Sequence, residues 1–361
     1  QRFAIPVIAV TGSNGKTTVT ALTASILNQT GPCLSPEGSF NNHWGVPLTL
    51  LRLRDSHRTA VLELGMNHPG EIRYLTGLVR PTIALINNAA PAHLAGLGDV
   101  QGVARAKGEI FEGLSDSGVA IINADDPFAG YWRQLAGAHK VVTFGIEQPA
   151  DLWARDMVFD DASRFRLCSA AGEIEVALPL AGRHNVMNAL AAAAAAQQAG
   201  ADLGQIRAGL ARAGAVRGRL QRRPGAGGAL VIDDSYNANP ASMRAALEVL
   251  AARSGQRIAV LGSMAELGED SFARHRALGE QARELGIERL LFLDEEGGEA
   301  SSEAVRAFGS SGELFDDADQ LAAAVRLLLT GETTVLVKGS RAARMERIAD
   351  KLALPVEEAA C

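Results

Sequence analysis

Short apolar runs of strand length alternate along this chain with longer segments of helical spacing. Ile5–Val10, Ala60–Leu64, Ile83–Ile86, Val119–Ile122 and Lys140–Phe144 are the strand candidates, and Thr18–Gln29 and Val103–Leu114 lie among them as helices. Alternation of this kind predicts a mainly parallel sheet covered by helices on both faces. From about Met157 to Pro179 the period drops to two, as in Arg164-Phe165-Arg166-Leu167 and Glu173-Ile174-Glu175-Val176, which predicts a small antiparallel sheet. A helix then follows from Asn185. Its run Ala189–Ala196 is the longest apolar candidate, far short of the roughly 18 residues of a membrane span, and reads as a buried helix.

After the Gly/Arg-rich stretch Gly214–Gly228 the cycle begins again. Leu230–Asp233, Arg257–Leu261, Leu290–Leu293 and Val335–Val337 read as strands, with helices at Ala241–Ala252, Phe272–Leu285 and Asp319–Leu329. A boundary near 218 divides the chain into two α/β domains, 1–218 and 219–361, and 361 residues at about 150 per domain agree with two or three.

Composition narrows the partners more than the fold. With 47% hydrophobic and 21% charged residues the chain is an ordinary globular protein, which excludes disorder and collagen-like structure. The 35 basic against 41 acidic residues, net −6, argue against a nucleic-acid backbone but leave room for a local basic pocket that holds a small phosphorylated ligand. Three scattered cysteines, Cys33, Cys168 and Cys361, fit neither a disulfide framework nor a zinc ribbon, so a reducing cytoplasm is expected. No signal peptide precedes the first strand; the chain opens at Gln1, without a methionine, and runs almost directly into a candidate ligand loop, which suggests a missing upstream segment.

That loop is Val10-Thr11-Gly12-Ser13-Asn14-Gly15-Lys16-Thr17-Thr18, placed between a strand and a helix. Its glycines let backbone N–H groups turn toward phosphate oxygens, the helix N-terminus adds partial positive charge, Lys16 adds a full one, and the Thr17 hydroxyl suits magnesium. The usual pattern has a further glycine where this chain has Val10, so the loop is a minority variety of phosphate cradle. Alone it leaves kinase, ATPase, GTPase and ligase open. The residues that decide should lie at neighbouring strand ends, where open α/β sheets bind ligands. Glu63 ends its strand as a hard-oxygen magnesium ligand or as a salt-bridged cap. His93 lies past the next strand, as a ligand or an ordinary loop histidine, and Lys107 sits on a helix where a solvated surface lysine is the common case.

Together these residues resemble the Mur ligases, ATP-dependent amide-bond ligases of peptidoglycan synthesis. The family's phosphate loop, strand-terminal Glu, His after an Asn, and modified lysine all have counterparts, in order, over residues 11–107. Gly182–Ala191, Gly218-Arg219 and Asp233–Pro240 extend the resemblance through the rest of the chain. It implies a central P-loop ATPase-like, mainly parallel sheet domain and a C-terminal Rossmann-like α/β domain, with the family's N-terminal UDP-binding domain outside this chain. Asn41-Asn42, Gly45–Leu50, Asp234–Met243, Leu261–Gly268 and Val337–Ser340 resemble the member that adds D-Ala-D-Ala to a UDP-N-acetylmuramoyl-tripeptide. Ser263, where Asp is frequent, and His43-Trp44, where an acidic and an aliphatic residue are commoner, depart from that pattern.

The resemblance implies a cytoplasmic monomer that phosphorylates the tripeptide carboxylate with ATP and lets the dipeptide amine attack the acyl phosphate. It assigns Thr11, Gly12, Ser13, Asn14, Gly15, Lys16, Thr17, Thr18, Asn185, Asn188, Arg219 and Asp234 to ATP. Asn185 and Asn188 would contact adenine or orient the loop beneath it; otherwise Asn185 belongs to its helix N-terminus, and Asp234 to the cap of the helix at Ala241. Two Mg²⁺ sites would use Thr17 and Glu63, and His93 with Lys107 carbamylated by CO₂; Lys16, Glu63, His93 and Lys107 form the catalytic set. Asn41, Asn42, Asn237, Lys338 and Ser340 would meet the substrates, while His275, on a helix that looks exposed, is structural. Domain closure near 214–220 would assemble the site. The alternatives are another amino-acid-adding Mur ligase, a folylpolyglutamate synthase-like ligase, a non-catalytic nucleotide-binding module and, less in keeping with the sequence, a nucleotide kinase.

Overall fold

Successive strand residues point to opposite faces of a sheet, and the first strand shows the consequence: Ile8 and Val10 join one apolar cluster, Val7 and Ala9 another. The structure, a computed structural model, describes residues 3–38, 40–91, 94–214 and 216–354, without the side chains of Leu94, Ala95 and Glu269. His93 and Cys361 lie outside the described residues. The chain divides into two compact units, Gln1–Gly214 and Ala215–Cys361.

The first unit opens with β1 (Val7–Thr11), α1 (Lys16–Leu27), β2 (Cys33–Leu34), α2 (Gly45–Leu50), β3 (Thr59–Glu63) and α3 (Glu71–Val79). It continues with β4 (Ile83–Ile86), α4 (Leu94–Leu97), α5 (Val100–Gly108), β5 (Val119–Asn123), α6 (Ala129–Ala136) and β6 (Lys140–Gly145). Strands β7 (Leu152–Phe159), β8 (Ser163–Ser169) and β9 (Gly172–Leu178) and helices α7 (Arg183–Gln198) and α8 (Leu203–Ala211) complete it. All nine strands form one sheet in the order β2-β3-β1-β4-β5-β6-β7-β8-β9. The alternating segment is therefore not a separate small sheet. It begins at Leu152, and β7 joins the parallel strands through Phe144↔Leu152 before the antiparallel hairpins start. Period-two patterning reports which face is buried and says nothing about which strand lies alongside.

Two helical layers cover this sheet. Helices α1, α7 and α8 bury Val19, Leu22, Ile26, Leu190, Ile206 and Leu210 on one face, and the alanines 189–196 are fully buried there. On the other face α3, α5 and α6 bury Ile72, Leu75, Val103 and Trp132. Strand order reverses at β1, which pairs in parallel with both β3 and β4, so the phosphate loop leaves the sheet at its switch point.

The second unit contains β10 (Gln221–Pro224), β11 (Leu230–Asp234), α9 (Pro240–Ala251), β12 (Gln256–Gly262), α10 (Ser271–Glu284) and β13 (Arg289–Leu293). Helix α11 (Glu299–Phe308), β14 (Gly312–Phe315), α12 (Ala318–Arg326), β15 (Thr333–Lys338) and α13 (Glu346–Leu352) follow. Its six-stranded sheet runs β10-β11-β15-β12-β13-β14, parallel except for the edge strand β10, and has a buried cluster on each face. The fold is α/β throughout: a large mainly parallel sheet, then a Rossmann-like one. Among the described residues no helix is long and apolar enough to cross a membrane.

His275 is not exposed. It lies buried on α10, where its Nδ1–H donates to Ser271 O (2.8 Å) and its Nε2 accepts the Met264 N–H (3.1 Å), so its role is structural and its ring is held neutral. Burial lowers its pKa from 6.5. The unfolded chain therefore takes up this proton first as pH falls. Stability is full above about 6.5 and is lost below it, at up to about 1.4 kcal/mol per pH unit, until the folded ring also titrates. Thermal unfolding of His275→Gln should depend less on pH between 7 and 5 than that of the parent; equal dependence would remove His275 from the acid response.

Candidate phosphate and metal site

The loop after β1 is held in place chiefly by asparagines. The Ser13 N–H donates to Asn88 O (3.0 Å) and the Asn14 N–H to Asn88 Oδ1 (2.8 Å). In return Asn14 O accepts from Asn87 Nδ2 (2.9 Å) and Asn88 Nδ2 (3.1 Å). The Ser13 hydroxyl donates to Ala90 O (3.0 Å), and Thr11 Oγ1 ties the loop's start to Leu64 O (2.9 Å). Gly15, with φ 78°, is the N-cap of α1 and offers no side chain to its first turn. A Cβ there would lie 2.3 Å from Asn188 Oδ1 and 2.6 Å from Asn87 Nδ2, so only glycine fits. Thr17 and Thr18 are buried in that turn, and Lys16 Nζ folds back onto Gly12 O (2.7 Å).

Asn188, expected near adenine or beneath the loop, lies against the loop's neighbour Asn87. Its Oδ1 accepts from Asn87 Nδ2 (3.0 Å), and its Nδ2 reaches Asn185 Oδ1 (3.3 Å). Asn185 in turn donates to Ala181 O (2.8 Å) at the start of α7. Both amides are buried and engaged within the protein.

Glu63 ends β3 beside Val10 of β1. Its Oε1 accepts from Asn41 Nδ2 (2.7 Å), and its Oε2 is buried with no hydrogen-bond partner. A buried carboxylate oxygen without a donor is costly unless a cation satisfies it, so the donor set here fits magnesium. Asn41 thus braces the acid, and its own carbonyl accepts the Gly65 N–H (2.8 Å). Asn42 Oδ1 receives the Trp44 and Gly45 N–H groups where α2 starts.

Lys107, whose residue type and helix suggested a solvated side chain, is buried. Burial lowers its pKa well below the usual value, and the like charge of Lys16 lowers it further, while Asp126 acts in the opposite sense. Among the described residues no hydrogen bond or ion pair holds its amine. A buried amine that tends toward neutral is the form that adds to CO₂, so this position fits a carbamate. Asp126, which sequence reasoning missed, is raised by burial and accepts the Ala89 (2.8 Å) and Phe128 (2.9 Å) N–H groups, fixing the loop after β4. The paired asparagines 87 and 88 after β4 were the visible signal for that loop; Asp126 had none. His93 lies outside the described residues, among which no group of three His, Cys, Asp or Glu could hold a metal.

In the second unit Asp234 and Lys338, in register at the ends of β11 and β15, form a buried ion pair of 2.6 Å. Lys338 Nζ also donates to Asn237 O (2.8 Å), and Asp234 Oδ1 accepts the Leu220 N–H (3.1 Å). Desolvation lowers the Lys338 pKa and Asp234 opposes it. Asp234 does not cap the following helix; Asn239 does, in a capping box with Ser242. The buried Ser340 donates its N–H to Ser263 O (3.0 Å), and the Arg219 guanidinium lies 4.2 Å from the Tyr236 ring centre.

Models of two families match the chain: the Mur ligase middle domain at residues 10–196, and the Mur ligase glutamate ligase domain at 218–341. The UDP-N-acetylmuramoyl-tripeptide–D-alanyl-D-alanine ligase of Escherichia coli (strain K12) is 46% identical over 352 residues, covering 96% of this chain and 77% of the relative. A crystal structure of MurF from Acinetobacter baumannii superposes with a TM-score of 0.90 at 38% identity, covering 96% and 76% of the two chains. A MurF ligase from Thermotoga maritima in complex with ADP superposes at 0.84 with 26% identity, covering 97% and 79%.

Gly15→Ala tests the loop. It adds a strained left-handed residue, about 1–3 kcal/mol, and drives a methyl into Asn188. Calorimetric titration with ADP should show at least a tenfold loss of affinity. Gly70→Ala, strained at φ 88° but with open space around its Cβ, should bind ADP like the parent. Equal affinities for all three proteins would reject the steric account.

Proposed function

The chain belongs to the Mur ligase family, and from that premise we propose that it joins D-alanyl-D-alanine to the terminal carboxylate of a UDP-N-acetylmuramoyl-tripeptide at the expense of ATP. The observation in this chain that carries the reading is Glu63, one oxygen braced by Asn41 and the other buried without a partner, beside a nucleotide loop. Carboxylate oxygen is a poor leaving group. Transfer of the γ-phosphoryl group releases ADP and gives an acyl phosphate; the dipeptide amine then attacks the acyl carbon, and the tetrahedral adduct collapses with loss of phosphate to the amide. Two anions must meet in the first step, so most of the task is alignment and charge neutralisation.

The residues divide that task. Lys16 faces the β- and γ-phosphates as a fixed positive charge. With the Ser13 and Asn14 N–H groups tied to Asn88, the first turn of α1 supplies the remaining backbone donors. Thr17 and Glu63 would hold one magnesium ion, and His93 with carbamylated Lys107 a second. Such ions neutralise phosphate charge and orient the carboxylate. Carbamylation converts the Lys107 amine and CO₂ into an anionic oxygen donor with release of a proton, and burial favours the uncharged, reactive form of that amine. Asn188 orients the loop through Asn87, and Asn185 backs Asn188. In the second unit we assign Ser340 and Asn237 to the acceptor. Lys338, buried and paired, positions the Asn237 backbone.

Phosphate release with ATP, magnesium and the UDP-linked tripeptide should require D-Ala-D-Ala, and product of the corresponding mass should appear. Product from glutamate or diaminopimelate alone would redirect the assignment to a sister ligase. Lys107→Ala should lower ligation at least about 1,000-fold with no rescue by bicarbonate, whereas the parent in CO₂-stripped buffer should regain activity when bicarbonate is added. Unchanged turnover of Lys107→Ala would remove that residue from the mechanism.

A further inference from the structure

Three cations gather where β11 and β15 end, and they are held very differently. Lys338 is buried, with Asp234 Oδ2 at 2.6 Å and Asn237 O at 2.8 Å. Arg219 lies over Tyr236, its guanidinium carbon 4.2 Å from the ring centre. Arg341, one residue beyond the buried Ser340, has its guanidinium carbon 5.9 Å from the same ring, yet its side chain is 68% exposed. Its ion-pair partner among the described residues is Glu346, at 3.4 Å. That is long beside the roughly 2.7–2.9 Å of a strong charge-assisted bond.

A guanidinium resting against an aromatic ring keeps its N–H edge available, the geometry that recognises a carboxylate through two parallel bonds. Two guanidiniums sharing one ring also raise the local positive potential, which a bound anion relieves. The acceptor of the proposed reaction carries one such anion: the free carboxylate at the far end of the dipeptide from its attacking amine. The carboxyl ends of parallel strands are where α/β sheets receive ligands, and of the two described guanidiniums on the Tyr236 ring Arg341 is the exposed one, with a loose partner.

We propose that Arg341 binds the C-terminal carboxylate of the acceptor dipeptide, with Tyr236 as the platform that presents it. Arg341 thereby selects acceptors by their carboxyl end and sets how the amine is aimed. This rests on the ligase reading above.

The test compares D-Ala-D-Ala with its C-terminal amide at saturating nucleotide substrate, using the full chain and phosphate release. The parent should prefer the carboxylate form about 100-fold in kcat/KM, almost all of it in KM. Arg341→Gln should lose about 100-fold on D-Ala-D-Ala and less than threefold on the amide, erasing the preference; Arg341→Lys should recover part of it. Equal losses on both acceptors, or a preference that survives Arg341→Gln, would overturn the assignment while leaving the ligase reading intact. A parent that ligates neither acceptor would overturn both, so the two failures are distinguishable.

Discussion

The two amide donors from Asn87 and Asn88 to the carbonyl of Asn14 hold up everything the first unit can do with a nucleotide. A phosphate loop has to keep its backbone donors aimed outward before the anion arrives, against the tendency of a glycine-containing turn to relax. Here the restraint comes from the next strand, not from the loop itself. The chain leaves β4 into two asparagines that tie to the loop at Ser13 and Asn14, and Asp126 fixes the segment after them through Ala89. The same logic positions Glu63, whose carboxylate is steadied by an amide from a different loop. The loop backbone and Glu63 are thus each backed by a neutral amide, which orients without cancelling charge.

Buried charge in the two units is handled in opposite ways. In the second unit Lys338 lies against Asp234, so desolvation is offset by a partner at 2.6 Å. In the first unit Lys107 is buried without one among the described residues, and the nearby charge of Lys16 makes its ammonium form costlier still, against the weaker pull of Asp126. The first arrangement is a structural pair; the second disfavours the charged form. That contrast separates the paired lysine from the one proposed for chemistry, and both are lysines inside α/β units.

Much of this was legible in the sequence. Densely apolar elements such as α1, α7, β4 and β13 stand close to where the apolar pattern puts them, because burial on a sheet leaves such runs little freedom. The phosphate loop and Glu63 were visible because glycine spacing and a carboxylate after an apolar strand have few other uses. The polar edge strand β10, with Gln221-Arg222-Arg223-Pro224, passed for an interruption, since an edge strand needs no apolar face. Helices α6 and α11 were missed because each presents only a few apolar residues to the core. The buried state of Lys107 and His275 could not be read at all: residue type predicts exposure for both, and only tertiary packing reverses it. Likewise the part played by Asn188 depends on a contact 101 positions away.

That separation has a bearing on how the protein is born. Gly15 leaves the ribosome 173 residues ahead of Asn188, the α7 amide that packs against it, and α1 gains the α7 part of its apolar cover only when that helix exists. At roughly 5–20 residues per second of synthesis the nascent loop waits on the order of ten seconds or more, with its strand β1 already emerged. During that interval the α7-facing side of α1 lacks its cover, and the loop lacks the Asn188 amide that packs against its glycine.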